Sequence, residues 1–251
     1  MKSNPRSILS RFGACLAGVM LAVAPLHADD TMAQATRPAD VSHLHYLPAG
    51  LPDAVSLLAP PPLADSQEQA ADMAEVRAVC RAAPSNDVAI AFSEKKFSAF
   101  NFTPAIGVFF QSNNLPKTTA LFERVEKDAA AVTDNAKDYY KRPRPYVTDP
   151  SLASGKLEKS FSYPSGHATE SMVLALVLAD LFPDRREAIL AEARAIGWHR
   201  IEIARHFPTD IYAGRVLAQA IVRQMKNSDS FQKDFDAARA ELAAAQTTAK
   251  N

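Results

Sequence analysis

The chain has 251 residues, 47% of them hydrophobic, and it carries 28 basic and 28 acidic side chains. This length and apolar content allow one medium domain, or two small ones, with a packed core. A formal net charge of zero gives no indication of nucleic acid or an acidic membrane surface as a partner.

The first 28 residues have the pattern of a secretory signal peptide. Lys2, Arg6 and Arg11 form a basic start, residues 12–26 are apolar, and Ala28 is small enough for signal peptidase. Because the apolar stretch is short for a bilayer span, we expect cleavage and a periplasmic protein without stable membrane insertion. An N-terminal membrane anchor is the alternative.

Residues 29–64 hold six of the 17 prolines, three of them consecutive at 60–62. This composition favours an extended, polyproline-like arm over a helix. Apolar side chains such as Tyr46 and Leu58 predict that the arm packs on the domain that follows. Beyond the arm, Cys80 is the one cysteine left after signal cleavage, so we expect no internal disulfide.

Residues 65–251 are rich in helix-forming side chains and poor in glycine, which predicts a single all-α domain, a helical bundle. Residues 172–179 are apolar all round, which predicts a helix buried on every side. Its apolar run of about 8–12 residues is short of the roughly 20 that cross a bilayer. We place helices near 66–81, 87–99, 116–141, 166–182, 184–204, 209–225 and 228–246.

The sequence Pro-Ser-Gly-His at 164–167 begins that buried helix. The first N–H groups of a helix have no internal partner and its dipole adds positive charge, so an anion can bind there. Gly166 allows the anion to approach the backbone closely. Ser165 alone would be explained as a helix N-cap, but capping does not explain His167.

Arg200 lies on the apolar face of its predicted helix, in phase with Ile189 and Ile196. An inward-facing arginine is costly unless it pairs with an anion. Its partner is either a carboxylate, such as Glu170 or Asp180, or a phosphate, which a guanidinium can bind through two parallel hydrogen bonds.

His206 and Asp210 flank a predicted bend. Pro208 disfavours helical geometry at Phe207, so the chain should turn there and begin a new helix near Thr209. Asp210 can then reach one imidazole nitrogen and fix the tautomer, which leaves the other nitrogen as a nucleophile. Taken alone, such a pair is more often a local hydrogen bond, and no further ligands appear at metal-site spacing.

A strongly basic patch extends from Lys137 to Arg144 and ends at Pro145. A solvated helix end, where cations complement the dipole, is one explanation. The patch holds more charge than that role requires, so we expect some of its side chains to point inward. Spacing alone does not decide which ones do.

Taken together, three motifs resemble the signature of the type 2 phosphatidic acid phosphatase superfamily, which shares its site with vanadium haloperoxidases. Within it, the chain looks most like the bacterial class A non-specific acid phosphatases, because the arm, the region around Asp72 and the signal peptide are also similar. The motifs are Lys137-x6-Arg144-Pro145, Pro164-Ser165-Gly166-His167 and Arg200-x5-His206-x3-Asp210.

The resemblance implies an all-helical bundle that hydrolyses a broad range of phosphate monoesters, nucleotides among them, through a phosphohistidine intermediate. It implies no metal and no cofactor, and it favours a homo-oligomer. His206 would be the nucleophile, Asp210 would orient it, and His167 would be the general acid and base. The groups that would bind the phosphate are Lys137, Arg144, Ser165, Gly166 and Arg200.

Two positions depart from the family pattern. His199 stands where the family usually has serine, and Arg205 stands where glycine is common. Each adds a titratable or cationic group beside the expected nucleophile, so each can alter substrate preference or working pH. The alternatives to an acid phosphatase are a lipid phosphatase or phosphotransferase of the same superfamily, a vanadate-dependent haloperoxidase, and a periplasmic anion-binding module without turnover.

Overall fold

The structure is a computed structural model that describes residues 44–250. The expected signal peptide and the first part of the arm, up to residue 43, lie outside the described residues. Within them there is no β-strand, so the predicted all-α fold is confirmed. The helices are α1 Ala54–Leu57, α2 Gln67–Ala82, α3 Ser85–Ser93, α4 Thr103–Ile106, α5 Pro116–Tyr140, α6 Pro145–Thr148, α7 Gly166–Leu181, α8 Arg186–Glu202, α9 Pro208–Met225 and α10 Asp229–Lys250.

The seven long helices that the sequence predicts are all present, and the largest difference is at α3. This helix ends at Ser93, whereas the sequence predicted an end near residue 99. Ser98 and Asn101 account for the break, because Ser98 Oγ accepts the N–H of Phe100 at 3.3 Å and Asn101 Oδ1 accepts the N–H of Ser98 at 2.9 Å. This cap begins a new 3-10 turn at Ala99.

Helix α7 is the centre of the fold. Val173, Ala175, Val177 and Leu178 point in different directions around the helix and are all fully buried, as the apolar sequence predicts. The helix packs against α5, α8 and α9, while α10 covers α5, and α2 and α3 pack on α8. No helix within residues 44–250 is long and apolar enough to cross a membrane.

The described part of the arm, residues 44–64, is attached to the helices by buried hydrogen bonds. Asp128 of α5 is fully buried and accepts the backbone N–H groups of His45, Tyr46 and Leu47 at 2.8, 2.7 and 3.1 Å. At the other end, the Tyr163 hydroxyl donates to a carbonyl of the arm. The arm therefore packs along α5 and reaches the segment that precedes α7.

One turn of this arm is helical, where the sequence predicted extended chain. Residues Ala54–Leu57 form α1 because Asp53 caps them. Its Oδ1 accepts the N–H groups of Val55 at 3.0 Å and Ser56 at 3.2 Å, and this capping compensates for the lack of intrahelical partners.

Candidate active site

The three motifs converge where the N-termini of α7 and α9 meet the C-terminal ends of α5 and α8. Ser165 is buried and caps α7, since its Oγ accepts the N–H of Ala168 at 3.3 Å. Its own N–H donates to the carbonyl of Asp210 at 3.1 Å, which joins the starts of the two helices. Lys137 Nζ approaches Gly166 so closely that a Cβ there would lie 3.1 Å from it.

His206 lies between a cation and a carboxylate. Arg144 Nη1 is 3.2 Å from its Nε2, and Asp210 Oδ2 is 3.3 Å from its Nδ1. Because a guanidinium can only donate, Nε2 accepts, and the neutral imidazole keeps its proton on Nδ1. The tautomer leaves the lone pair of Nε2 on the side of the cations.

Asp210 is fully buried and accepts hydrogen bonds on both carboxylate oxygens. Arg142 donates to Oδ1 at 2.5 Å, while the Ser162 hydroxyl and the N–H of Phe207 donate to Oδ2 at 2.5 and 2.8 Å. Burial raises the pKa of Asp210 to about 6, against the opposing effects of Arg142 and these hydrogen bonds. The same oxygen that faces His206 is therefore held by two further donors.

Arg142 is held in turn by helix α2. Its Nη2 donates to Asp72 Oδ2 at 2.7 Å and to Gln69 Oε1 at 2.6 Å. The Thr209 hydroxyl donates to the same Asp72 carboxylate, and the guanidinium lies 4.0 Å from the ring centroid of Phe207. A buried network thus connects α2, the basic patch and the start of α9.

Arg144 is fixed in the site by several acceptors. It is 2% exposed, and it donates to the carbonyls of Ser160 at 2.8 Å and Arg205 at 2.9 Å. It also forms an ion pair with Glu158 at 2.6 Å. These contacts hold one guanidinium nitrogen against His206 rather than leaving the side chain in solvent.

Arg200 faces inward, as its helical phase predicts, and its carboxylate partner is Glu94. Glu170 and Asp180, the carboxylates that the sequence suggested as partners, are wrong, because Glu94 at the end of α3 takes that place. Arg200 Nη2 donates to Glu94 Oε2 at 3.0 Å and to the carbonyl of Ala91. Its Nε is buried and has no hydrogen-bond partner among the described residues. A buried donor of this kind suits an oxyanion ligand.

His167 keeps some exposure to solvent, and its Nε2 lies 3.1 Å from the carbonyl oxygen of Glu94. Since a carbonyl can only accept, Nε2 carries the proton and Nδ1 is the nitrogen left for other partners. The ring lies 5.4 Å from that of Phe97. Burial, aided chiefly by Arg200, lowers the pKa of His167 to about 3.

The same three cations act on both imidazoles. Burial lowers the pKa of His206 well below its usual value, and Arg144, Lys137 and Arg200 all add to that effect, as they do for His167. The centre of the site is therefore strongly positive, which suits an anion. Among the residues that the structure describes, no three His, Cys, Asp or Glu side chains are grouped as metal ligands would be.

Arg205 does not direct its charge at His206. Its guanidinium donates to the carbonyls of Ile203 at 3.0 Å and Lys156 at 3.3 Å, and it lies 5.3 Å from the ring centroid of Tyr146. The side chain therefore anchors the loop between α6 and α7, and only its backbone carbonyl, which accepts from Arg144, contacts the cation cluster.

Residues 128–230, which hold all three motifs, match the family model of the PAP2 superfamily. An acid phosphatase of Zymomonas mobilis is 30% identical over 223 residues, which cover 85% of this chain and 82% of that relative. The chain belongs to the PAP2 superfamily, among its acid phosphatases.

Two further relatives agree with this assignment, and one solved structure resembles the chain only weakly. Non-specific acid phosphatases of Providencia stuartii and Salmonella typhi are 30% and 31% identical over 57% and 56% of this chain, and over 60% and 59% of their own lengths. A transmembrane PAP2 type phosphatidylglycerolphosphate phosphatase from Bacillus subtilis aligns with a TM-score of 0.48 and 18% identity, over 69% of this chain and 89% of that one. That last likeness is too weak to argue from.

Three side chains in the site of this acid phosphatase had no role assigned from the sequence. Glu94 stands in a Glu-Lys-Lys stretch that is typical of a solvated helix face, and Ser162 belongs to no motif. Arg142 lies in the basic patch, where spacing did not decide which residues point inward. His206 and Asp210 could be predicted because Pro208 marks a bend between them. Partners that come from distant segments of the chain leave no such local pattern.

Proposed function

We propose that this chain is a periplasmic acid phosphatase that hydrolyses a broad range of phosphate monoesters through a phosphohistidine on His206. The observation that carries the proposal is the pair of contacts on that imidazole. Asp210 faces the protonated Nδ1, while the unprotonated Nε2 faces the cations. The unprotonated Nε2 can bond to phosphorus once the substrate phosphate replaces it as the acceptor for Arg144, and the developing imidazolium needs such a carboxylate.

Lys137, Arg144 and Arg200 would bind the phosphate oxygens, together with Ser165 and the backbone of Gly166. Phosphoryl transfer develops charge on the equatorial oxygens, and preorganised donors in a buried site stabilise that charge. The buried Nε of Arg200 and the close approach of Lys137 to Gly166 support this assignment.

In the first step, the Nε2 lone pair of His206 forms a bond to phosphorus while the bond to the ester oxygen breaks. The leaving oxygen takes a proton from His167 and departs as an alcohol. In the second step, water gives a proton to His167 and attacks phosphorus, and the phosphorus–nitrogen bond breaks. The electron pair returns to Nε2, and both imidazoles are restored.

The proton on His167 depends on the substrate. In its cationic surroundings the pKa of His167 is lowered to about 3, which favours the neutral form. A bound phosphate dianion brings negative charge next to Lys137, Arg144 and Arg200, and this raises the pKa of the imidazole. We therefore expect the general acid to acquire its proton together with the substrate.

Replacing His206 tests the proposal. His206→Ala should reduce turnover of p-nitrophenyl phosphate by about a thousandfold or more, because it removes the nitrogen that bonds to phosphorus. Steady-state rates in the presence of a chelator measure the effect. His45→Ala, the same substitution at an exposed histidine of the arm, is the matched control and should leave the rate unchanged. Full turnover by His206→Ala would contradict the assignment.

A further inference from the structure

His199 shares one buried carboxylate with Arg200. Its Nδ1 lies 2.8 Å from Glu94 Oε1, and Arg200 Nη2 lies 3.0 Å from the other oxygen of the same group. The side chain of His199 is 14% exposed, whereas those of Arg200 and Glu94 are 2% and 7% exposed. The imidazole is therefore the member of the cluster through which protons can exchange with solvent.

Glu94 holds only one nitrogen of the Arg200 guanidinium, together with the carbonyl of Ala91. The Nε of Arg200 has no partner among the described residues and remains able to donate. The carboxylate thus fixes the orientation of Arg200, but it also cancels much of the positive charge that a phosphate would encounter there. How far it cancels that charge depends on what else binds Glu94.

We propose that His199 is a positioning residue for phosphate binding, which acts on Arg200 through the carboxylate of Glu94. With a neutral imidazole, the cluster of His199, Glu94 and Arg200 has no net charge. With an imidazolium it carries one positive charge beside the phosphate site, and it binds an anion more tightly. The inference rests on the phosphatase function proposed above, and it concerns affinity rather than the chemical steps.

The surroundings of His199 favour the charged form at acid pH. The hydrogen bond with Glu94 raises the pKa of His199 and outweighs the opposing effect of burial. Glu202 on the same helix acts in the same direction, Arg200 opposes it, and the carboxyl of Glu192 also interacts with the charge on His199. Phosphate affinity should accordingly be high below the pKa of His199 and should fall as the pH rises through it.

Competitive inhibition by inorganic phosphate, followed from about pH 5 upward until the affinity of wild type no longer changes, measures this effect, because the pKa of His199 is raised above that of an ordinary histidine. His199→Gln keeps a hydrogen-bonding side chain but no charge, so its phosphate affinity should be about tenfold weaker than wild type at the acid end and equal at the alkaline end. His199→Lys keeps the charge throughout, so its affinity should remain high at the alkaline end. In both variants kcat should stay within about twofold of wild type, because His199 does not touch the reacting atoms.

Glu94→Gln provides a second, independent variant. Without the carboxylate, the charge of Arg200 is no longer cancelled at any pH, so phosphate affinity at the alkaline end should be about as high as that of wild type at the acid end. Because the pKa of His199 also loses its main support, any remaining fall in affinity should move to lower pH. The inference is wrong if His199→Gln keeps the wild-type pH dependence, or if the Gln and Lys variants lose affinity equally at every pH, as a purely structural role would require. A wild-type protein that neither binds phosphate nor hydrolyses esters would instead contradict the proposed function itself.

Discussion

Asp210 is fully buried, and yet its carboxylate oxygens are well supplied with donors. Arg142 on one oxygen, and Ser162 and the N–H of Phe207 on the other, leave Asp210 little freedom to rotate. This is the condition under which a carboxylate can orient an imidazole, because a mobile acceptor would not select one tautomer. The orientation of His206 therefore depends on residues that never touch the substrate.

Arg142→Met should destabilise the protein strongly, because it leaves the buried carboxylates of Asp210 and Asp72 without their shared cation. The expected loss is about 3–5 kcal/mol in the free energy of unfolding, measured by chemical denaturation at neutral pH. The pKa of Asp210 is about 6 and would rise further without Arg142, so the loss should shrink at acid pH, where Asp210 takes up a proton.

Lys141→Met is the control for this prediction, since the neighbouring lysine is exposed and makes no ion pair among the described residues. Its effect should stay within about 0.5 kcal/mol. Equal destabilisation by the two substitutions would show that the network around Asp210 does not carry the stability assigned to it.

Contacts that the sequence predicted join residues close together in the chain, whereas those that it missed join residues far apart. His206 and Asp210 are four positions apart, so local geometry brings them together. Arg142 and Asp210 are 68 positions apart, and Arg200 and Glu94 are 106 apart. Such partners follow from how the helices pack, and no periodicity within one helix contains that information.

At the scale of elements, the site depends on how closely α9 approaches the start of α7. Gly214 of α9 makes this approach possible. A Cβ at that position would lie 2.9 Å from the carbonyl oxygen of Ser165 and 3.0 Å from Thr169 Oγ1, both in the first turns of α7. The N-terminal end of α7 and helix α9, which begins beside His206, can therefore pack this closely because Gly214 has no side chain.

Gly214→Ala should separate the two helices. Overpacking costs about 1–3 kcal/mol and outweighs the gain of about 1 kcal/mol that alanine brings to a helix. Because the displaced carbonyl belongs to Ser165, kcat/KM for p-nitrophenyl phosphate should fall by about tenfold or more. Thermal unfolding and steady-state kinetics measure the two effects.

Gly197→Ala in α8 is the matched control. A Cβ there would meet Ile211 Cγ2 at 3.3 Å and Ala168 Cβ at 3.4 Å, which are tight contacts, but they are longer than those at Gly214 and involve no backbone carbonyl. We expect little change in stability and full activity. If Gly214→Ala behaves in the same way, then the close approach of α9 does not control the geometry of the site.

The long helices could be predicted because their apolar and polar residues follow a helical period over many turns. The short ones could not, since α1, α4 and α6 span four residues each and depend on single caps or prolines. The early end of α3 belongs to the same class, because a capping pair at Ser98 and Asn101 overrides the helical propensity of the residues before it.

At the scale of the whole molecule, the arm and the terminal helix stabilise the helix that carries Lys137. Buried Asp128 of α5 binds the backbone of the arm at Tyr46, and the hydroxyl of Tyr46 donates to Asp234 of α10 at 2.7 Å. The all-α class could be predicted from composition and helical periodicity. The path of the arm could not, because its proline-rich sequence constrains the backbone but not the surface on which it packs.

The proposed mechanism requires a covalent bond between phosphorus and His206. A single turnover with a radiolabelled phosphate monoester, stopped in alkali to preserve phosphohistidine and followed by peptide mapping, tests this directly. We predict label on the peptide that contains His206, formed and lost at rates consistent with kcat, and no label in His206→Ala. Label on another residue, or turnover without any labelled protein, would contradict the proposed mechanism.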